Sequence, residues 1–261
     1  MKRVLALTLA MLFVLCALVA CSNDQTNEGG TITPVESNVS IHNVEGSQYN
    51  DQLYFDYING DEVVITGFAA SHVPHALVIP EKIDNRPVTT IAAGAFMNKV
   101  NLTAVTLPNG IAVIEDMAFA ACNALTSINI PDSVTLIGEA AFTNTAITEI
   151  SLPNSVLALG QMAFFNCQNL ATVTLSTELT AIQKQTFMNC VALTSVTVGD
   201  KVEAIEDYAF MGCSLLSSLT LPASVTAIGE YAFANCTAFT RPALDETVEI
   251  GTNAFYGTVS A

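Results

Sequence analysis

The chain has 261 residues, of which 51% are hydrophobic, 7% aromatic and 12% charged, and it contains no Trp. Acidic side chains number 24 against 8 basic ones, a formal net charge of −16, which excludes a binder of phosphate backbones because that affinity rests on a basic footprint. So much apolar residue at so little charge also excludes disorder over most of the length.

The first segment reads as an address. Lys2 and Arg3 precede an uncharged apolar run from Val4 to Ala20, long enough for a secretory core and slightly short for a permanent membrane span. The run ends in Leu18-Val19-Ala20-Cys21, and polar Ser22-Asn23-Asp24-Gln25 follows. Aliphatic and small residues directly before a Cys resemble the lipobox of bacterial lipoproteins. That resemblance implies removal of residues 1–20 and acylation of the Cys21 thiol, so that Cys21 holds the protein on a membrane. The alternatives are an ordinary signal peptide with an incidental Cys, or an uncleaved anchor. Cleavage would leave 6 basic and 24 acidic residues, 6 − 24 = −18. Such an anionic body is expected to stand off anionic lipid, with acyl chains as its membrane contact. Residues 21–47, rich in Asn, Ser, Thr, Gly and acid, have little to bury and read as a flexible tether.

Residues 48–74 read as a small cap. Tyr54-Phe55-Asp56-Tyr57 and Val63-Val64-Ile65-Thr66-Gly67-Phe68 flank Asn59-Gly60, the signature of a β-hairpin with a tight turn. Such a hairpin would cover the first open edge of whatever sheet follows. Ser71-His72-Val73-Pro74-His75 is the only dense histidine segment. An HxxH pair with Glu81 nearby is a weak metal signal without a helix-borne HExxH, and it reads as a cap loop.

From about residue 75 to 261 the chain repeats. Phe recurs at 96, 119, 142, 164, 187, 210, 233 and 255, preceded by Ala everywhere except at Thr186, at intervals of 23, 23, 22, 23, 23, 23 and 22. Leu125-x-x-Ile128-x-Ile130-Pro131 is followed by Val134, Ile137 and Phe142, and Leu216-x-x-Leu219-x-Leu221-Pro222 by Val225, Ile228 and Phe233. The spacing of 3 then 2 places two apolar residues on one face of a short strand. Pro, or Ser176 or Gly199 in its place, ends the strand and turns the chain. One coil alone cannot offset its ordering entropy, so coils must stack and share their apolar floors.

The unit LSSLTLPASVTAIGEYAFANC (216–236) resembles the 23-residue repeat of BspA-like leucine-rich repeat proteins, and the likeness runs over about residues 75–257. The resemblance implies a leucine-rich-repeat solenoid of about eight coils, strand-dominated within the α/β repeat class. A right-handed coil, a parallel sheet, short helical or 3-10 turns and the small N-terminal β-cap complete it. It also implies adhesion to host matrix proteins or to other cells. The stretch 77–96 (LVIPEKIDNRPVTTIAAGAF) is similar to the first coil of that class, with two additional residues before Val88. In the last coils Phe239 replaces Leu and Pro242 replaces the first inward Ile, as terminal strands allow.

Stacking turns each repeat position into a row. Cys122, Cys167, Cys190, Cys213 and Cys236 form one, broken by Lys99 and by the short loop Thr143-Asn144-Thr145-Ala146-Ile147. Without CxxC, the cysteines read as buried thiols filling apolar space, their redox state left open. Asn98, Asn144, Asn166, Asn189 and Asn235, exchanged for Gly212 and Ala121, point to a left-handed turn closing a short helical segment such as Gly229 to Ala234. Asp116, Glu139, Asp207 and Glu230 read as a solvated edge.

The outward positions of the strands form the candidate binding face: Thr106, Ser127, Asn129, Glu149, Ser151, Thr172, Thr174, Ser195, Thr197, Ser218, Thr220 and Arg241. The face is flat, small and hydroxyl-rich. Docking on it and simple suitability of Ser and Thr for exposed strands are equally good readings. No His falls in the array and no Gly-rich phosphate loop occurs, so neither catalysis nor a cofactor nor a metal is expected. The expected protein is a membrane-anchored lipoprotein of the bacterial cell envelope, surface-exposed or periplasmic, binding a protein ligand (host matrix or cell surface) without chemistry. The alternative is an envelope scaffold or glycan-capture module, against which the absence of Trp counts.

Overall fold

The computed structural model describes residues 53–68 and 74–260. The lipobox with Cys21, the tether, and His72 lie outside the described residues. Within them the chain is a stack of strand-built coils; all but the last two contribute two short parallel strands, one to each of two faces, and the last two contribute a strand to the second face alone. On the first face Ala76–Val78 pairs with Ala104–Thr106 and that with Ser127–Ile128. Further along the same face, Glu149–Ser151 pairs with Thr172–Thr174 and that with Ser195–Thr197. On the second face Arg86–Ile91, Val113–Ile114, Leu136–Ile137 and Ala158–Leu159 pair in sequence. Ala181–Ile182, Ala204–Ile205, Ala227–Ile228 and Glu249–Ile250 continue it.

Leu53–Ile58 and Glu62–Phe68 form an antiparallel hairpin, and Asn59 and Gly60 at its turn both take positive φ, 53° and 79°. Its second strand also pairs in parallel with Arg86–Ile91, making it the first rung of the second face. The two additional residues of the first coil are Asp84 and Asn85, at φ 51° and 62°. They make the turn that folds Lys82–Ile83 antiparallel onto Arg86–Ile91. Tyr57 clamps this corner: its ring lies 4.6 Å from the Arg86 guanidinium and its hydroxyl donates to Asp84 at 2.5 Å.

The core is one column. In the coil around Phe142, Leu125, Ile128, Val134 and Ile137 are all buried. The phenylalanines from Phe96 to Phe233 are fully buried and stack ring on ring, with centroids 5.2–5.7 Å apart. Every coil thereby repeats the same apolar layer one strand spacing further on.

No helix occurs among the described residues, so the expected helical or 3-10 turns are corrected. The reason lies in the amides flanking each Phe. Ala118, Ala120 and Cys122 donate to Glu115, Met117 and Phe119 within their own coil, while Met117, Phe119 and Ala121 donate to Glu139, Ala141 and Thr143 of the next. A helix would keep all of them for itself. Left-handed backbone two residues after each Phe (Asn98, Ala121, Asn144, Asn166, Asn189, Gly212, Asn235) makes this alternation possible, so the Asn row turns the chain without closing a helix. A second left-handed row lies two residues before Phe: Met117, Ala140, Met162, Gln185, Tyr208 and Tyr231 at φ 53–61°.

Candidate functional site

The first face carries the candidate residues outward, because strand side chains alternate and the intervening Val105, Ile128, Ile150, Val173 and Val196 are buried. Thr106, Ser127, Asn129, Glu149, Ser151, Thr172, Thr174, Thr197, Ser218 and Thr220 are exposed, and Ser195 is half-buried. Register sets them in rows: Glu149 faces Thr172 and Thr172 faces Ser195, with Ser151, Thr174 and Thr197 beside them. An isolated bridge joins Ser195 to Ser218.

Two candidates are committed to the scaffold. The Asn129 carboxamide accepts from the Leu107 amide at 2.8 Å and donates to the Leu107 carbonyl at 2.9 Å. Arg241 is exposed but lies 5.0 Å over the Phe255 ring. Pro242 keeps that segment out of the regular ladder, leaving only the bridge from Thr240 to Val259.

Between Ala76 and Thr197 the face is interrupted once. No strand pairing joins Ser127–Ile128 to Glu149–Ser151, and there a cleft of about 650 Å³ opens, lined by Ser127, Asp132, Glu149, Ser151 and Thr172 among others. The cause is the 22-residue step from Phe142 to Phe164. One residue is missing between Phe142 and Ile147, so the following strand is not delivered to its register. Two polar groups record the displacement. Thr103, Thr126 and Thr194 each donate a hydroxyl hydrogen bond to a carbonyl one coil back, whereas the Thr148 hydroxyl at the same repeat position makes none. Ser133 and Ser224 likewise donate to Ile111 and Val202 at 2.6 Å, whereas the buried Ser155 hydroxyl has no partner.

The displaced coil also parts from its successor on the opposite face. No pairing joins Ala158–Leu159 to Ala181–Ile182, and a smaller cleft of about 380 Å³ lies there. The coil from Ile147 to Phe164 is thus laddered to its predecessor on the second face alone and to its successor on the first face alone. The Phe column runs through unbroken, with Phe142 and Phe164 at 5.4 Å and Phe164 and Phe187 at 5.7 Å.

The cysteine row is buried and unbridged. Each thiol donates to the carbonyl of a Phe one coil back, at 3.0–3.1 Å. Burial pushes the Cys122 and Cys167 thiols up to about 11. The short coil does not skip this row: Thr145 takes the position, donating to Phe142 at 3.0 Å and lying 3.3 Å from Cys167 Sγ. The acidic row is more than a solvated edge. Asp116 and Asp207 accept from the amides of Glu139 and Glu230. The chain passes so close at this corner that a Cβ on Gly160 would sit 2.5 Å from the Glu139 nitrogen. Periodicity alone gave no signal for this contact, though the recurring Gly after Ile137 and Ile228 carried it.

Among the described residues no three of His, Cys, Asp and Glu converge as a metal site, and there is no helix long and apolar enough to cross a membrane. The Nδ1 of His75, an exposed residue, lies 3.1 Å from the Asn101 carbonyl.

Residues 89–217 and 180–261 match the BspA type leucine-rich repeat region, more than half of the chain. The chain belongs to that family. Among solved structures it is similar to a leucine-rich repeat protein of T. pallidum (TpLRR), at 28% identity and a TM-score of 0.67, over 75% of this chain and 89% of that one. It is also similar to one from Eubacterium ventriosum, at 26% identity and 0.58, over 70% and 59%. A third, from Bacteroides ovatus, shares the fold at 22% identity and 0.58, over 81% and 70%. No curated protein matches it. The BspA-type repeat and these neighbours agree with the strand-dominated solenoid of about eight coils.

Proposed function

We propose that the chain is a lipid-anchored bacterial cell-surface protein whose first face binds a macromolecular ligand, a protein of host matrix or cell surface, without catalysis. The observation that carries this reading is the face itself. Exposed hydroxyls stand in register over successive coils, from Glu149 and Ser151 through Thr174 to Thr197. Such a surface is rigid before any partner arrives, so docking costs it little ordering entropy. Membership of the BspA-type repeat family supports the reading, because solenoids present their extended sheet as a docking surface. The lipobox-like Leu18-Val19-Ala20-Cys21 supports the anchor.

Two experiments test it. The purified protein should bind extracellular-matrix proteins, and Thr174→Arg, Thr197→Arg and Thr220→Arg should weaken that binding. Unchanged affinity in all three removes the face from the reading, and binding to polysaccharide alone would replace protein ligand by glycan capture. Mass spectrometry of the N-terminus should find a diacylated Cys21. A Cys21→Ala protein that stays membrane-bound after its leader is cleaved removes the anchor.

A further inference from the structure

We infer that the cleft between Ser127–Ile128 and Glu149–Ser151 is where a basic, extended segment of a partner protein seats, an inference that rests on reading this face as a binding surface. At about 650 Å³ the cleft is of a size that binding sites use. It is the one place on the first face, among the described residues, where strands of consecutive coils between Ala76 and Thr197 are unpaired. An extended segment lying there meets strand edges whose backbone groups no neighbouring strand takes, the geometry in which main-chain hydrogen bonds recruit a peptide.

Charge selects the occupant. Asp132 and Glu149 line the cleft, and no Lys or Arg does. The ion pairs of Lys184 with Asp207 and of Lys201 with Glu178 both lie elsewhere. Ser127, Ser151 and Thr172 add hydroxyls to the lining. A lysine or arginine gains charge-assisted hydrogen bonds from such carboxylates, and a phosphate or acidic segment is repelled. No aromatic ring lines the cleft, so a sugar finds no platform to stack on.

The missing residue makes the site, and restoring it tests the site. Binding of fluorescent acetyl-Lys-Thr-Lys-Thr-Lys-amide to the full chain in nonionic detergent is measured by anisotropy, with the Glu-Thr-Glu-Thr-Glu counterpart as the reverse-charge probe. The basic peptide should bind and the acidic one should not. Glu149→Gln together with Asp132→Asn should weaken binding roughly three- to tenfold, the scale of two partly exposed charge contacts. Insertion of one Asn between Thr145 and Ala146 restores the 23-residue step with both carboxylates in place, and should abolish binding. Glu203→Gln, on the opposite face, should change nothing.

No binding of the basic peptide overturns the inference. So does an equal loss with Glu203→Gln, which would mean attraction to net charge, or a polysaccharide that competes for the cleft. Should the insertion disturb folding, the double carboxylate variant decides alone. Matrix-protein binding by the unaltered chain is measured in parallel. If it persists while the cleft variants are neutral, only this inference fails. If no macromolecule binds the face at all, the functional reading fails while the peptide titration still reports on the cleft.

Discussion

The thiol of Cys190 donates to the carbonyl oxygen of Phe164 at 3.1 Å, one coil back. Cys122 and Phe96, Cys167 and Phe142, Cys213 and Phe187, and Cys236 and Phe210 repeat the contact. A side chain that reads as apolar filler therefore also hydrogen-bonds a carbonyl of the preceding coil, whereas Thr145, where Cys is missing, donates to Phe142 of its own coil.

The thiols should consequently be unreactive in the folded protein. Burial raises Cys122 and Cys167 to about 11, and Cys190 and Cys213 well above their ordinary value. The thiolate is the reacting species. Iodoacetamide at pH 8 followed by peptide mass mapping should leave these four unmodified until denaturant is added. Labelling of any of them in the native protein at the rate of a free thiol would refute the assignment.

The Phe column should dominate stability. Phe187 is fully buried between Phe164 and Phe210, and Phe187→Ala should cost about 3–5 kcal/mol in urea unfolding. Phe255, half-buried beside Phe233 at the last coil, should cost less when changed the same way. Equal losses would contradict a column whose end is incompletely covered.

The left-handed row before each Phe stores strain. Ala140 sits at φ 53°, a conformation that disfavours residues with a Cβ. Ala140→Gly removes almost no side chain, and should raise stability by up to about 1 kcal/mol. A lower urea midpoint would show that the row is not strained at this coil.

Asp207 should give a pH signature. The Lys184 ammonium beside it at 2.9 Å, and then the Glu230 amide, hold its carboxyl below the ordinary carboxylate range. A depressed native value means stabilisation that is full above the unfolded value of about 3.9 and lost as pH falls through the native one. The urea midpoint of Asp207→Asn should therefore lie below that of the unaltered chain at pH 7, and the two should converge as pH falls through the depressed native value. A constant difference across that window would exclude the carboxylate as its source.

Much of this is legible in the sequence. A Phe every 23 residues has one economical solution, a stack in which each ring covers the last, and Leu125, Ile128, Val134 and Ile137 follow from the same period. The left-handed backbone at Asn98 and Asn235 was readable because Asn and Gly exchange there. The matching row at Met117, Met162 and Tyr208 was not, because none of those residue types favours positive φ. They are held there by amides that leave the coil, a property of the neighbour and not of the local sequence. The turns read as helical for the same reason. The short step after Phe142 was visible as a count. That it parts Ile128 from Ile150 depends on how a whole coil tilts, which no single position encodes.

The half-laddered coil from Ile147 to Phe164 has a mechanical consequence. On each side it is held by the Phe column, the amides flanking Phe and one face, whereas the other consecutive coils between Ala76 and Thr197 are joined by all of these and both faces. Under tension along the stack, or in the slow exchange of backbone amides, the molecule should part at this seam into two blocks that each keep their own cooperativity.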